Sequence, residues 1–419
     1  MIDRRSFLTF VGGATLAWPQ AVRALARDLE SGGGPDDEPF WEQVRNQFLI
    51  PPDRLYLNNG TLGPSPRVVV DAVMEHTRRV AATYPPGVRW HDLKAAMAAY
   101  LGGDEEGYVF PRNTTEAMNF VANGLELGPD DVVLTTDHEH IGGLEPWRLV
   151  TTRLGATLEV ASLPAPAESA DDLLDAVWSR VTARTRVVSL SHVTFTNGTV
   201  FPVADLARRC ADAGIVLALD GAHPPGMMRV DLGQIGGDFY ASSPHKWMLA
   251  PQGTGLLYVA EAWRETLWPT LASGGWDDTA LGAHRLNHLG TFDESRLAGL
   301  LASVEFLNAV GQDRSEARVR GLRARLRAGL EEVSGVTVMT PAPEELCAAM
   351  VSFHMDGVDS LDLQVHLSRT AKVRTRVIGE YDYGWMRLST HIYNLPGEID
   401  RVLDLLHEAS RTGVPARGD

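Results

Sequence analysis

Between residues 108 and 259 the chain repeats one pattern that limits what it can fold into. A short, uninterrupted apolar run is followed by a polar cluster and then an amphipathic stretch. Tyr108-Val109-Phe110, Val132-Val133-Leu134, residues 157–161, Val187-Val188-Ser189-Leu190 and Ile215-Val216-Leu217-Ala218-Leu219 are the apolar runs, and residues 171–180 and 203–213 carry helical periodicity between them. A strand with one wet face alternates apolar and polar residues. A strand that is apolar throughout is covered on both faces, as in a parallel sheet sheathed by helices. The pattern therefore predicts an α/β fold with a largely parallel sheet, joined by Gly255-Leu256-Leu257-Tyr258-Val259 as a hairpin partner. Ligands of such sheets sit beyond the carboxyl ends of the strands.

The rest of the chain divides around this unit. Residues 1–26 read as an address and residues 27–54 as a linker and N-terminal arm. Residues 55–294 form the large domain, and residues 295–419 form a smaller α+β domain packed with the N-terminal segment. In that last part, residues 336–339, 350–354, 373–377 and 385–388 read as strands and residues 361–368 and 398–409 as helices.

The unusual polar residues follow the apolar runs. Asp220 closes the run that starts at Ile215 and leads into Gly221-Ala222-His223. Further on, Ser242-Ser243-Pro244-His245-Lys246-Trp247 sets a lysine among hydroxylated and imidazole side chains. A lysine amine is nucleophilic only when deprotonated, which partial desolvation and cationic neighbours favour. A carboxylate at a strand end can hold a protonated ring nitrogen. An imine-forming lysine and such an acid are what a pyridoxal phosphate enzyme needs. A solvated lysine and an Asp-Gly turn satisfy the same letters.

Asn113-Thr114-Thr115 ends one strand and opens a helix, where free N–H groups and two hydroxyls suit a phosphate. The same residues, followed by Glu116, also make a helix cap. In Asp137-His138-Glu139-His140, His140 can lay its ring on a planar ligand. His138 and His140 alternate along an extended chain and do not readily share a metal ion, and no acid–histidine helix motif supports one. Arg387, at the end of a strand, offers a planar fork for a carboxylate or for a structural ion pair.

Composition narrows the partners. A formal net charge of -16 argues against nucleic acid or an anionic membrane surface. Only two cysteines occur, Cys210 and Cys347, and no CxxC pair, so neither a zinc ribbon nor a disulfide framework is supported. At the N-terminus, Asp3-Arg4-Arg5-Ser6-Phe7-Leu8 precedes an apolar stretch and then Ala24-Leu25-Ala26, a small-x-small cleavage pattern. That order predicts a twin-arginine signal, export by the twin-arginine machinery to the periplasm or beyond, a mature chain starting near Arg27 and no stable membrane span after processing.

Taken together, in this order and spacing, these residues resemble the class V aminotransferase family of fold-type I pyridoxal phosphate enzymes. The likeness runs from about Tyr56 to His407 and leans towards isopenicillin N epimerase-like members, with cysteine desulfurases more distant. The resemblance implies a mostly parallel seven-stranded sheet and pyridoxal 5'-phosphate as cofactor. It implies that Lys246 forms the imine link, that Asp220 pairs with the ring nitrogen, that His140 stacks on the ring and that His223 meets its phenolic oxygen. Thr114, Thr115, Ser243 and His245 match phosphate-binding positions. Thr291 matches a residue that reaches the phosphate of a neighbouring subunit, which implies a homodimer with shared sites. Arg387 matches the clamp for the carboxylate of a small amino-acid substrate, and Asn58 and Asn59 lie where the N-terminal segment lines the substrate pocket.

The departures concern chemistry. Pro244 stands where glycine is usual before His245. Near Phe195, either Thr194 or Asn197 takes the role of a cofactor-holding polar residue. The loop after Arg374-Thr375-Arg376 has no cysteine, so the persulfide chemistry of desulfurases is set aside. What is left is α-carbon chemistry, as an epimerase or aminotransferase. A carbon–sulfur β-lyase and a non-catalytic periplasmic binding protein that kept the fold are the alternatives.

Overall fold

The computed structural model describes residues 17–29, 33–83 and 88–417. Its strands in chain order are β1 (Leu55–Tyr56), β2 (Tyr108–Val109), β3 (Val132–Thr136), β4 (Thr157–Ala161), β5 (Thr185–Ser191), β6 (Val216–Asp220), β7 (Phe239–Ser242) and β8 (Leu256–Val259). These are followed by β9 (Val336–Val338), β10 (Met350–Met355), β11 (Val373–Arg374), β12 (Arg376–Ile378) and β13 (Trp385–Ser389).

The large sheet has seven strands in the order β2-β8-β7-β6-β5-β3-β4. From β7 through β4 the neighbours run parallel, and β8 turns back antiparallel against both β7 and β2. The uninterrupted apolar runs are explained by what lies on each face. Val133, Val187, Val216 and Ala218 pack with Met118 and Trp147 in one core, while Leu134, Val188, Leu217 and Leu219 pack with Leu173 and Leu206 in another. Only the outermost strand of the parallel run, β4, is partly exposed along its length. Register aligns the functional end: Ser191 pairs with Asp220, and Asp220 pairs with Ala241, so Asp220 ends a central strand between two covered neighbours.

The small domain has the antiparallel order β12-β13-β10-β9, covered by the helices Gln312–Glu332, Ser360–Ala371 and Pro396–Thr412. Its core holds Leu326, Val351, Phe353, Met386, Leu388, Ile399 and Val402 together with Leu55 and Leu57 from the N-terminal segment. The helix Ser295–Val310, assigned by composition to this domain, instead buries Leu300, Phe306 and Leu307 in the large-domain core. The single strand expected over 373–377 divides into two at the buried Thr375: β11 pairs parallel with β1, while β12 pairs antiparallel with β13. Leu57 N–H donates to Arg374 O and Ser389 N–H to Leu57 O, both at 2.9 Å, so the segment before Gly60 is sewn between β11 and β13.

The twin-arginine residues Arg4 and Arg5 lie outside the described residues. The helix Ala17–Leu29 runs across the expected cleavage position and buries Val22 and Leu29 against the large-domain core. Among the described residues, no helix is long and apolar enough to cross a membrane.

Candidate active site

A cavity of about 300 Å³ opens at the carboxyl ends of β5, β6 and β7, walled on its other side by the small domain. Its lining includes Thr114, Thr115, His140, Asp220, His223, Ser243, His245, Lys246 and Arg387. Sequence reasoning had marked all of these, from separate stretches of chain, and the fold brings them to one place.

Asp220 is held at the end of β6 by its neighbours. Its Oδ1 accepts from the Ala222 N–H at 2.9 Å. Burial raises its pKa, and the nearby Lys246 ammonium partly offsets the rise. Gly143 is required beside it, since a Cβ at that position would lie 2.7 Å from Asp220 Oδ2.

Lys246 sits in the turn between β7 and β8. Burial lowers its amine pKa to about 8, with Arg387 and Arg376 acting in the same direction and Asp220 opposing them. Its Nζ lies 3.4 Å from His223 Nε2. The Trp247 Nε1–H donates to His223 Nδ1 at 3.0 Å. Indole nitrogen can only donate, so the neutral imidazole carries its proton on Nε2, the atom facing Lys246. Burial, reinforced by Lys246 and Arg387, holds the His223 pKa well below the usual histidine range, in keeping with a neutral ring.

The opposite end of the cavity is rich in hydroxyls and meets the start of a helix. Asn113 caps the helix Thr114–Gly124, its Oδ1 accepting from Glu116 N–H at 2.9 Å. The capping role and the ligand role therefore coexist. Ser243 Oγ accepts from the Thr114 N–H at 3.0 Å and lies 2.7 Å from Thr114 Oγ1. His245 Nδ1 lies 2.9 Å from Thr254 O and donates to it, so its Nε2 becomes a donor only when the ring is protonated. Burial and Lys246 lower the His245 pKa to about 4, and a bound dianion would raise it.

His140 caps the helix Ile141–Leu154, its Nδ1 accepting from Gly142 N–H at 3.1 Å. Its ring meets Phe195 edge-on, with centroids 5.1 Å apart. Burial, with Lys246, Arg376 and Arg387 adding to it, lowers its pKa to about 3, so the ring is neutral. His138 turns away to Thr196 Oγ1 and the Tyr383 ring. No cluster of three or more metal-ligating side chains occurs among the described residues.

Arg387 is 1% exposed. Its Nη1 donates to Phe195 O at 2.6 Å and its Nη2 to Thr61 Oγ1 at 3.4 Å, while its buried Nε has no acceptor. Burial, helped by Arg376, lowers its pKa to about 9. A Cβ at Gly60 would lie 2.9 Å from Nη2, so glycine there lets the N-terminal segment close over the guanidinium.

One expected residue lies elsewhere. Asn59 is fully buried behind the cavity, where its Oδ1 accepts from Tyr393 OH at 3.1 Å, and its neighbours Gly60 and Thr61 provide the lining instead. Asn59 sits in the turn after β1, and the bond from Tyr393 holds its side chain away from the cavity. Thr291 is exposed and lines no part of this chain's own cavity. Near Phe195, Thr194 and Asn197 bond to one another at 2.6 Å and are absent from the lining. Trp90 packs on Phe110, Trp276 on Trp268 and Trp385 on Tyr383, all outside the cavity.

Arg376 was not singled out from the sequence, yet it lines the cavity. The turn centred on Tyr381-Asp382 sets it opposite Arg387, and locating that turn in the sequence would have revealed the pairing. Cys210 and Cys347 are both free and buried, and neither lines the cavity. A larger cavity, about 530 Å³, lies at the other end of β5 and β6 beside Trp268 and Trp276, and its lining contains no lysine or histidine.

The cavity suits a planar ring with an acid at one end, an amine alongside and an anionic arm. Asp220 offers the acid, Lys246 the amine, and the Thr114 and Ser243 hydroxyls at the helix start the polar groups for such an arm.

The comparisons with known proteins agree with this geometry. The "Aminotransferase class-V" family model matches residues 86–402. Isopenicillin N epimerase of Streptomyces clavuligerus is 31% identical over 388 residues, covering 87% of this chain and 97% of that protein. A probable cysteine desulfurase of Halobacterium salinarum is 32% identical over 395 residues, covering 87% and 93%. A solved structure of a C-DES mutant, with glycine covalently linked to its PLP cofactor, superposes with a TM-score of 0.78 at 23% identity, covering 87% of this chain and 99% of that one.

Proposed function

We propose that this chain, which belongs to the aminotransferase class-V family of pyridoxal 5'-phosphate enzymes, acts at the α carbon of an amino acid or amino-acid-derived substrate as an epimerase or aminotransferase. The observation that carries the reading is the convergence of Lys246, Asp220 and Arg387 on one cavity whose lining contains no cysteine. When bound, pyridoxal phosphate supplies a ring that withdraws electrons from the α carbon.

The chain's own residues do the rest. Asp220 would hold the ring nitrogen, His140 the ring face, His223 Nε2–H the phenolic oxygen, and Thr114, Thr115 and Ser243 the phosphate. His245 joins the phosphate set in its protonated form. Arg387 fixes the substrate carboxylate, and its burial keeps water from competing for that fork. Lys246, with its pKa near 8, takes the α proton as general base and can return it. Inversion at the α carbon needs a proton delivered to the opposite face, and amino transfer needs one delivered to the cofactor. That delivery decides the reaction.

Exchange of the α-hydrogen in heavy water tests the reading across an amino-acid panel. Exchange with inversion means an epimerase, and keto acid without free ammonia means an aminotransferase. Pyruvate with ammonia would favour the β-lyase instead. A colourless protein that neither binds the cofactor nor exchanges any substrate would overturn the enzyme reading.

Two further proposals concern setting. We propose a homodimer in which exposed Thr291 serves the partner's phosphate site. Light scattering at monomer mass would refute it. We also propose export by the twin-arginine route. Retention of a fused reporter in the cytoplasm, unaffected by Arg4→Lys with Arg5→Lys, would refute that.

A further inference from the structure

We propose that Arg376 recognises a second anionic group, so that the preferred substrates are amino acids bearing a side-chain carboxylate or an equivalent distal anion, while Arg387 takes the α-carboxylate. This rests on the α-carbon reading above and names its substrate class.

The two arginines are direct partners. β12 and β13 run antiparallel with Arg376 opposite Arg387, and both line the cavity. Directly opposed residues of an antiparallel pair point to the same face with Cβ atoms about 5 Å apart, and like charges there repel. A site that had only one carboxylate to hold would be relieved by any neutral residue at position 376.

Compensation within the protein is incomplete. Arg376 Nη2 pairs with Glu380, at side-chain exposures of 28% and 26%, and its buried Nε has no acceptor. Arg387 donates only to the neutral oxygens of Phe195 and Thr61, its buried Nε also lacks an acceptor, and the one carboxylate acting on it, Glu380, is already paired with Arg376. The lining carries three cationic residues, Lys246, Arg376 and Arg387, against one carboxylate, Asp220. The anion cradle at Thr114 and Ser243 belongs to the large domain, whereas both arginines come from the small-domain hairpin. A substrate with one carboxylate neutralises Arg387 alone. A second anion gives Arg376 a charge-assisted partner and ends the repulsion across the hairpin.

The test titrates the cofactor absorbance of the holoenzyme with ω-carboxylate amino acids of increasing length, from aspartate to 2-aminopimelate, each beside its neutral ω-amide. The expected result is that at least one acid of the series binds at least about 10-fold more tightly than its amide, a preference lost in Arg376→Gln and retained in Arg376→Lys. Arg387→Gln should weaken acids and amides alike. Equal binding of every acid and its amide by the wild type, or an equal loss on both in Arg376→Gln, overturns the proposal. Should Arg376→Gln fail to fold, Glu380→Gln replaces it: freeing Arg376 should tighten acids and leave amides unchanged, and no difference between them overturns the proposal. A protein with no cofactor band in any preparation would sink the Lys246 reading instead. Arg376 is then judged by calorimetry with glutarate, which should bind wild type and not Arg376→Gln.

Discussion

The Trp247 indole N–H donates to His223 Nδ1 at 3.0 Å and so fixes which nitrogen of His223 faces Lys246. The adjacent elements keep that indole in place. Trp247 stacks on His391 with centroids 5.5 Å apart, and His391 Nε2 donates to Trp247 O at 2.9 Å. His391 in turn stacks on Tyr393, whose hydroxyl reaches Asn59. Through His223, the lysine is thus poised by Trp247, His391 and Tyr393, none of which lines the cavity.

Trp247→Phe should release this control. With no donor at Nδ1, the His223 proton can move there and leave Nε2 as an acceptor for the Lys246 ammonium, which raises the lysine pKa above about 8. The pH at which apoprotein recombines with cofactor at half its maximal rate should rise, and nitrogen NMR should show both His223 tautomers. The lost ring volume costs about 1–3 kcal/mol of stability in addition. An unchanged recombination midpoint would show that Trp247 only packs.

Burial disfavours the Lys246 ammonium, and the apoprotein should register this as a stability cost. Its folded pKa, about 8, lies below the usual lysine value of 10.5. Between those two pH values the unfolded chain binds the proton and the folded chain does not, so stability rises with pH across that window and the cost is complete below it. Lys246→Met should therefore stabilise the apoprotein at pH 7 by on the order of 2–3 kcal/mol, with the gain shrinking as pH rises through 8 and gone above about 10.5. Denaturant melts of both proteins at a series of pH values measure it. A gain that did not vary with pH would assign the effect to packing.

Much of this was legible in the sequence because its signals were local. An apolar run such as Val216 to Leu219 needs both faces covered, and Asp220 follows it directly, so strand, sheet type and acid could be read in one stretch. Asn113 and Thr114 likewise announce a helix start. What escaped were relationships set by pairing. Arg376 and Arg387 become neighbours only through hairpin register, and β11 and β12 part at Thr375 only because Leu55 and Tyr56 arrive from far upstream to pair with one of them. Gly60 and Thr61, rather than Asn59, line the cavity because Tyr393, far along the chain, takes the Asn59 side chain in the turn, a partner the local letters do not name. The helix Ser295–Val310 was given to the wrong core because apolar residues occur all round it, so its pattern does not say which neighbour it faces.

Gly143 provides a direct check on the acid. A methyl group there would lie 2.7 Å from Asp220 Oδ2, and the carboxylate must shift to admit it. Alanine is otherwise the better helix former, by about 1 kcal/mol. Gly143→Ala should leave the protein folded but weaken cofactor binding by about 10-fold or more, since a displaced acid loses a charge-assisted bond. Equilibrium dialysis of the cofactor against the apoprotein measures this. Undiminished affinity would mean that Asp220 does not touch the ring.

The two thiols discriminate the proposed chemistry from sulfur transfer. Burial raises the Cys210 pKa to about 12, and it raises that of Cys347 as well despite three nearby arginines. Cys347 Sγ donates to Pro343 O at 3.3 Å, outside the cavity. A thiol that is buried, protonated and remote from Lys246 is a poor nucleophile at neutral pH. Cys347→Ala and Cys210→Ala should each leave turnover on the best amino acid of the exchange panel within about twofold of wild type, with losses in stability of about 1–2 kcal/mol from the vacated volume. Steady-state rates beside thermal melts separate the two effects. A Cys347→Ala enzyme that folds, binds cofactor and yet stops turning over would place a sulfur-based step at the centre of the reaction and remove the case for an epimerase or aminotransferase.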